Sequence, residues 1–374
     1  MLIEVHMLKN YAPTNLNRDD TGAPKTCMFG GVQRGRISSQ CLKHSWRISP
    51  ILKEEVGREN IGSRTRKLPD LVAKKLLEQG IAENLVEAAK RKITGFGNKE
   101  GKETSDGKTA QVIAYSPADI EAVADQFAEK LKECKSPNDV SKLSAKDIQA
   151  AMKGSVSRAV TLDMALFGRM VTSEAFADVE AAMQVAHAIS TNHVMMESDY
   201  FTAVDDLIAE STEETGSGMI GDIDYNSSCY YIYASLDTDK LLENLKNCDD
   251  PAGIVKKAIP ALIETMAFSN PSGKQNSFAG HSLPAAVLVE CRERKIPVSY
   301  VNAYEKPVRA SGDSGIVHES VQRLKDECLR TEKLYGLTSA DRLWFTSDDA
   351  VSFEDGKAEN FASLPELIAA LPEV

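Results

Sequence analysis

Hydrophobic and polar positions along the chain predict strands near both ends and helices between them. An alternating, β-branched run at 2–8 predicts a strand, and the tyrosine-rich run at 227–237 predicts another. Two apolar runs at 285–292 and 296–304 predict further strands. Apolar residues at helical spacing predict helices at 67–93 (a pair), 117–134, 144–153, 179–192, 238–247, 251–268 and 314–335.

Polar stretches rich in glycine and proline separate these elements. The segments 10–25 and 271–284 are predicted to be loops, and 94–108, with four glycines, is predicted to be a mobile one. The order of elements predicts an α+β sheet domain with a largely helical insertion near 60–165 and a smaller protrusion near 192–226.

Bulk composition narrows the class of protein. The chain has 374 residues, 42% of them hydrophobic, which suits one large domain or two modest ones. The sequence opens without a secretory signal pattern and contains no apolar run of about 20 residues, so we expect a cytoplasmic protein outside the membrane. Seven cysteines without a CxxC pair predict neither a disulfide framework nor a thiolate zinc site.

Charge is segregated along the chain. The formal net charge is −11, yet residues 25–75 hold 12 Lys and Arg against 4 Asp and Glu, so that segment carries +8 and the rest −19. Such segregation is typical of a protein that grips a polyanion on one face and keeps its other surfaces soluble. The alternative is that the positive charge of residues 25–75 lies on an ordinary solvent-exposed helix face.

The segment 29–47, FGGVQRGRISSQCLKHSWR, concentrates positive charge without a single carboxylate. A helix beginning near Ser39 would place Lys43 and Arg47 on one face, four residues apart. Free backbone N–H groups and the helix dipole favour an anion at such a helix start.

Two more arginines precede that helix. If Arg34 and Arg36 lie on a strand, they project from the same side and add two cations to the helix start. Gln40 offers a side chain able to bond a sugar or a base. The segment therefore predicts a cradle for consecutive phosphates, and the alternative is a structural helix with a basic exposed face.

Other candidate sites are weaker. The glycine-rich run at 95–103 lacks the spacing of a nucleotide-binding loop, and the histidines show no metal-binding spacing. His187, in the predicted alanine-rich helix, is expected to be packed. Asp19 and Asp20 would either bind a metal or move a proton during RNA cleavage, or else cap their loop and pair with Arg18.

Aromatic and aliphatic residues stand together in the protrusion. The run YFTAVDDL offers Tyr200, Phe201, Val204 and Leu207 in an otherwise polar region. These side chains would stack on or wedge between unpaired bases, or would form a small hydrophobic core.

Seven ordered motifs carry a resemblance to a known family. LNRDD, FGGVQRGRISSQCLKHSWR, GRMVTS, AHAISTN, YFTAVDDL, SGKQNSF and VNAYEKPV occur in the order found in CasC. CasC is the repeated, non-catalytic backbone subunit of the type I-E CRISPR Cascade complex. The resemblance is weakest in the helical block near 50–155, in the acidic tail, and at the thumb tip TEETGSGMIGD.

The resemblance implies an α+β hand-shaped subunit. Its palm is a ferredoxin-like (RNA-recognition-type) sheet, its fingers are the helical insertion, and its thumb is an extended β-hairpin. The implied ranges are palm 1–60, fingers 61–165, palm 166–191, thumb 192–226, and palm 227–374 with the acidic tail. Copies polymerise along one CRISPR guide RNA beside other Cascade subunits and leave the guide open to pair with target DNA in antiviral defence. No cofactor or metal is implied.

The resemblance also implies site residues, position by position. The palm residues along the guide backbone are Arg18, Ser39, Gln40, Lys43 and Arg47. The base-contacting residues are Met170 near the kink and Phe201, Thr202, Val204 and Leu207 on the thumb. Later loops near the guide or target carry Lys274, Gln275, Lys306 and Arg309.

Two other functions remain open at this point. Related backbone subunits of type III complexes cut target RNA with a loop aspartate, which makes Asp19 or Asp20 the candidate residue of a metal-dependent endoribonuclease. A general single-strand RNA binder that works alone is the third possibility.

Overall fold

The computed structural model describes residues 1–153, 158–203 and 219–373. The chain divides into two compact units. The first unit comprises Met1–Leu52, Val185–Ser235 and Ile259–Glu373, and the second comprises Lys53–Gln184 and Leu236–Ala258. The second unit contains the segment 61–165 and extends beyond it on both sides.

The strands are β1 Leu2–Thr14, β2 Thr26–Phe29, β3 Val32–Ile37, β4 Ser63–Thr65, β5 Ile113–Tyr115, β6 Met183–Val185, β7 Ala188–Ser190, β8 Glu197–Ala203, β9 Met219–Asp237, β10 Pro284–Arg292, β11 Asp341–Thr346 and β12 Glu359–Phe361. The helices are α1 Ser39–Ile48, α2 Pro50–Val56, α3 Leu68–Glu78, α4 Glu83–Ile93, α5 Pro117–Lys132, α6 Pro137–Ser141, α7 Ala145–Met152, α8 Leu162–Phe167, α9 Thr238–Leu245, α10 Pro251–Phe268, α11 Gln275–Phe278, α12 Ile316–Tyr335 and α13 Leu364–Ala369. Short 3₁₀ turns cover Arg58–Asn60, Thr94–Gly97 and Val301–Tyr304.

The first unit is built on a large mixed sheet. Its strand order is β12-β11-β10-β1-β9-β7-β3-β2. β1 pairs antiparallel with β10, starting from Leu2 opposite Arg292, and β11 pairs parallel with β12. Every residue of β10 is buried, which explains its nearly continuous apolar sequence.

A charged cluster lies inside this sheet. Glu4 on β1 stands opposite Glu290 on β10, and Arg292 binds both carboxylates at 2.9 Å. Arg342 on β11 reaches Glu290 at 3.2 Å. Burial lowers the pKa of the neighbouring His6 to about 3, so the imidazole is neutral at physiological pH. Arginines thus pair with both buried carboxylates across β1, β10 and β11.

The prediction of a helix at 179–192 is wrong. This segment forms β6 and β7, and Ile189 in β7 stands opposite Arg36 on one side and Tyr231 on the other. All three residues of β7 are buried. Pairing with two neighbouring strands outweighs the helix propensity of its alanines.

The prediction of a strand at 296–304 is also wrong. The backbone N–H of Val298 donates to Glu4, and that of Tyr300 donates to the Tyr231 hydroxyl. Side chains thus take the place of a strand ladder, and the segment ends in a 3₁₀ turn. The predicted loop 10–25 begins late, since β1 continues to Thr14.

The second unit is mainly helical. Helices α3, α4, α5 and α7 pack around a core that includes Phe96, Phe127 and Phe176. In the loop 94–108, predicted to be mobile, Asn98 accepts the N–H of Lys102 at 2.9 Å and Arg66 binds Asp106 at 2.9 Å.

β8 and the first part of β9 form an antiparallel hairpin, from the Glu197–Tyr225 pair to the Ala203–Met219 pair. This hairpin lies within the expected protrusion at 192–226. Val204 and Leu207 lie outside the described residues. Among the described helices, none is both long and apolar enough to cross a membrane.

Candidate nucleic-acid interface

The start of α1 is fixed by packing and by a cap. Ser38 is the N-cap residue, and its side chain accepts the Cys41 N–H at 3.3 Å. Leu42 and Trp46 are buried and anchor one face of the helix. The first turn contains no acidic residue, so the positive end of the helix dipole is not offset by a local carboxylate.

The polar side of α1 carries the predicted site residues. Gln40 is exposed, while Ser39, Lys43 and Arg47 are partly exposed. Burial lowers the pKa of Lys43, because desolvation disfavours its charged form. An anion beside Lys43 would offset that cost.

The loop before β2 is tied to this helix start. Asn17 accepts the Ser38 N–H through Oδ1 at 2.9 Å, and its backbone carbonyl accepts the Lys25 N–H at 2.8 Å. The Lys25 carbonyl in turn accepts the Arg36 N–H at 2.8 Å. The exposed Arg18 follows Asn17 directly. The loop therefore brings a cation that we had not predicted, Lys25, towards the start of α1.

Asp19 has a structural role in the same loop. Its Oδ1 accepts the Thr21 N–H at 2.9 Å, the Thr21 hydroxyl at 2.7 Å and the Ala23 N–H at 3.1 Å. The hydrogen bond from the Thr21 hydroxyl holds the pKa of Asp19 below its usual value. Asp20 is exposed. Within the described ranges, no three His, Cys, Asp or Glu residues are grouped so that they could hold a metal ion.

The prediction that Arg34 binds phosphate is wrong. Its side chain is 0% exposed, and its guanidinium donates to four backbone carbonyls. The acceptors are Ser190 (3.0 Å) and Thr191 (2.8 Å) from Nη1, and Tyr304 (2.8 Å) and Glu305 (3.1 Å) from Nη2. Arg36, two residues later, is partly exposed, and its Nε lies 3.3 Å from the Thr26 carbonyl. Arg34 and Arg36 both lie on β3, two residues apart, but the four carbonyls enclose only Arg34.

His187 is the second residue that sequence reasoning missed. It lies between β6 and β7, is exposed, and accepts the backbone N–H of Ser39 at 3.2 Å through Nδ1. Burial lowers its pKa, and the charges of Arg36 and Lys25 lower it further. The expectation of a packed histidine followed from the erroneous helix at 179–192.

The loop 271–280 packs against the end of β1. A Cβ on Gly273 would lie 2.2 Å from the Leu16 carbonyl oxygen, so only glycine permits this approach. Gln275 donates its amide N–H groups to the Pro271 carbonyl at 2.7 Å and the Gly280 carbonyl at 3.1 Å. Its amide N–H groups therefore hold the loop closed, and the side chain remains partly exposed. Lys274, in a left-handed conformation, is partly exposed.

The remaining predicted residues are accessible to differing degrees. Lys306 and Arg309 are exposed in the first unit. Met170, in the second unit, is 93% exposed. On the hairpin, Phe201 packs its ring over Gly221 opposite, and Thr202 is exposed.

A family model described as CT1975-like protein matches residues 3–370. The chain belongs to this family. The match covers nearly the whole chain, and it confirms the CasC-type family that the ordered motifs indicated. No curated protein matches the chain significantly by sequence.

Two solved structures resemble the chain. A chain of a "CRISPR RNA-guided surveillance complex, pre-nicking" is 26% identical with a TM-score of 0.80, over 99% of this chain and 98% of that one. A chain of a "CRISPR RNA-guided surveillance complex" is 21% identical with a TM-score of 0.61, again over 99% and 98%. Because the second chain is only 21% identical, its similarity supports a shared fold and nothing further. The predicted α+β class is confirmed, and the structure shows that its sheet is large and mixed.

Proposed function

We propose that this protein is a non-catalytic Cascade backbone subunit that polymerises along a CRISPR guide RNA and presents it for pairing with target DNA in antiviral defence. Family membership and the 26%-identical surveillance-complex chain support this function. The structural observation that carries it is the capped start of α1, which has cations around it and no carboxylate in its first turn.

The chemistry of this helix start suits a ribose-phosphate backbone. Lys43 and Arg47 from α1, with Arg18 and Lys25 from the preceding loop, supply positive charge, and Ser39 and Gln40 supply hydrogen-bonding groups. Contacts of this kind position a strand without reading its sequence. The bases stay free for pairing, which is how guided complexes divide recognition between RNA and protein.

The finer architecture is part of the proposal. The sheet of the first unit is the ferredoxin-like palm, the helical second unit supplies the fingers, and the β8–β9 hairpin is the thumb. Met170, Phe201 and Thr202 contact bases. The residues near the guide or target are Lys274, Gln275, Lys306 and Arg309. Its partners are the guide, the target strand, further copies of itself and other Cascade subunits, all in the cytoplasm.

The endoribonuclease alternative is not retained. The family is that of the non-catalytic backbone subunits. Asp19, one of its two candidate residues, uses Oδ1 to hold its own turn.

A double charge reversal tests the proposed function. Lys43→Glu with Arg47→Glu replaces two cations by two anions at the strand, so we expect guide RNA no longer to co-purify with the assembled complex. The control, Lys246→Glu with Lys257→Glu, makes the same charge change at exposed positions of the second unit. Undiminished RNA recovery with the first pair, or equal loss with both pairs, would refute this assignment of the site.

A further inference from the structure

His187 stands beside the predicted cradle without any role assigned to it. It comes from the segment before β7, whereas the neighbouring groups come from α1, from β3 and from the loop before β2. Three separate parts of the chain thus meet around one exposed imidazole.

The hydrogen bond to Ser39 fixes the chemistry of this ring. A backbone N–H can only donate, so Nδ1 must carry a lone pair to accept it at 3.2 Å. In the neutral ring the proton then sits on Nε2, which makes Nε2–H a donor. Burial and the charges of Arg36 and Lys25 lower the pKa of His187, which favours this neutral form at physiological pH.

We infer that His187 is an RNA-contacting residue: Nδ1 holds the Ser39 N–H in place while Nε2–H donates a neutral hydrogen bond to a phosphate or ribose oxygen of the bound strand. The inference rests on the proposed function, because it places the strand at the start of α1. A polyanion is the ligand class that suits a donor flanked by the cations of Lys25 and Arg36.

The two nitrogens can be tested separately. In His187→Asn the side-chain oxygen stands near the place of Nδ1 and keeps the acceptor, but no donor remains at the Nε2 position. In His187→Gln the amide N–H stands near Nε2 and keeps the donor, but the acceptor for Ser39 is lost. Lys43→Gln removes a charged group and serves as the electrostatic comparison.

The experiment measures binding of the full chain to a fluorescein-labelled single-stranded RNA, short enough to hold one copy, over a series of KCl concentrations. Loss of one neutral hydrogen bond should weaken binding about three- to tenfold in His187→Asn. The slope of log K against log[KCl] should stay unchanged in this variant, whereas Lys43→Gln should lower it by about 0.7. His187→Gln should bind more tightly than His187→Asn, and the thermal unfolding of His187→Asn should match that of the wild type.

Each other outcome overturns the inference. If His187→Asn binds as tightly as the wild type, the ring serves only the helix start. If its salt slope falls, the contact is charged and the tautomer argument fails. If His187→Gln binds less tightly than His187→Asn, the acceptor rather than the donor matters. These results leave the proposed function standing as long as Lys43→Gln behaves as expected. Wild-type protein that binds no RNA would overturn both.

Discussion

Arg34→Lys separates a buried structural arginine from a phosphate ligand. A lysine keeps the positive charge, so at a surface phosphate contact the change would be mild. Inside the protein it is not, because one ammonium nitrogen cannot reproduce the planar fork that serves four carbonyls from two nitrogens. We therefore expect Arg34→Lys to destabilise the first unit rather than to weaken RNA contacts directly.

The magnitude follows from the geometry of the four bonds. The guanidinium donates to Ser190, Thr191, Tyr304 and Glu305 over 2.8–3.1 Å. A hydrogen bond to a charged group contributes about 1.5–3 kcal/mol, and lysine loses at least two of them. The free energy of unfolding should fall by about 3 kcal/mol or more, a large share of the roughly 5–15 kcal/mol that holds a typical domain folded.

Urea unfolding of Arg34→Lys and of the control Arg36→Lys is the assay. Arg36 is partly exposed, so its substitution should change the free energy of unfolding by no more than about 0.5 kcal/mol. Equal stability of Arg34→Lys and the wild type would refute the buried clasp. A lower RNA affinity without any loss of stability would restore Arg34 to the binding surface.

Three further predictions concern the turn, the core and the aspartate loop. Gly30→Ala should lower the free energy of unfolding, measured by thermal melts, by more than about 2 kcal/mol, since its Cβ would lie 1.7 Å from the Glu305 carbonyl oxygen. The control, Gly31→Ala, is also at positive φ but has open space around it, so it should cost only about 1 kcal/mol. Equal costs would refute this close approach. Burial lowers the pKa of Lys9 to about 7, so between pH 7 and 9.5 the unfolded chain binds more protons at this site, and Lys9 makes stability rise with pH. We therefore expect the free energy of unfolding of Lys9→Met, measured with urea at both pH values, to fall relative to that of the wild type as pH rises. A difference that does not change with pH would contradict this. Asp19→Ala should lower the melting temperature through the lost turn while guide recovery persists, and a loss of magnesium-dependent RNA cutting in this variant would instead indicate an enzyme.

Hydrophobic periodicity correctly predicted the elements whose own sequence carries a long, regular pattern. The strand at 227–237 and the helices at 251–268 and 314–335 appear close to their predicted bounds, as parts of β9, α10 and α12. These segments carry long, regular patterns that local sequence determines. The strand at 2–8 was also found, although β1 continues through polar residues because pairing in the sheet carries it on to Thr14.

The failures share a physical cause, which is tertiary context. The segment 179–192 is alanine-rich yet forms strands, since two neighbouring strands supply its backbone partners. The segment 296–304 was expected to pair as a strand, but its backbone N–H groups bind buried side chains instead. The same limit applied to the site: strand spacing related Arg34 to Arg36, but nothing in the sequence shows which of them four distant carbonyls will enclose. One signal was available for His187, because the motif AHAISTN was recognised in the family order, but the erroneous helix obscured it.

Photo-crosslinking shows directly whether the guide RNA lies at the start of α1. The assembled complex, loaded with guide RNA containing 4-thiouridine, would be irradiated, digested and analysed by mass spectrometry for peptides bound to nucleotide. We expect crosslinks in the peptides that carry Arg18 and Ser39–Arg47, at the start of α1. Crosslinks confined to other parts of the chain, with those peptides unmodified in a complex that retains its guide, would contradict it.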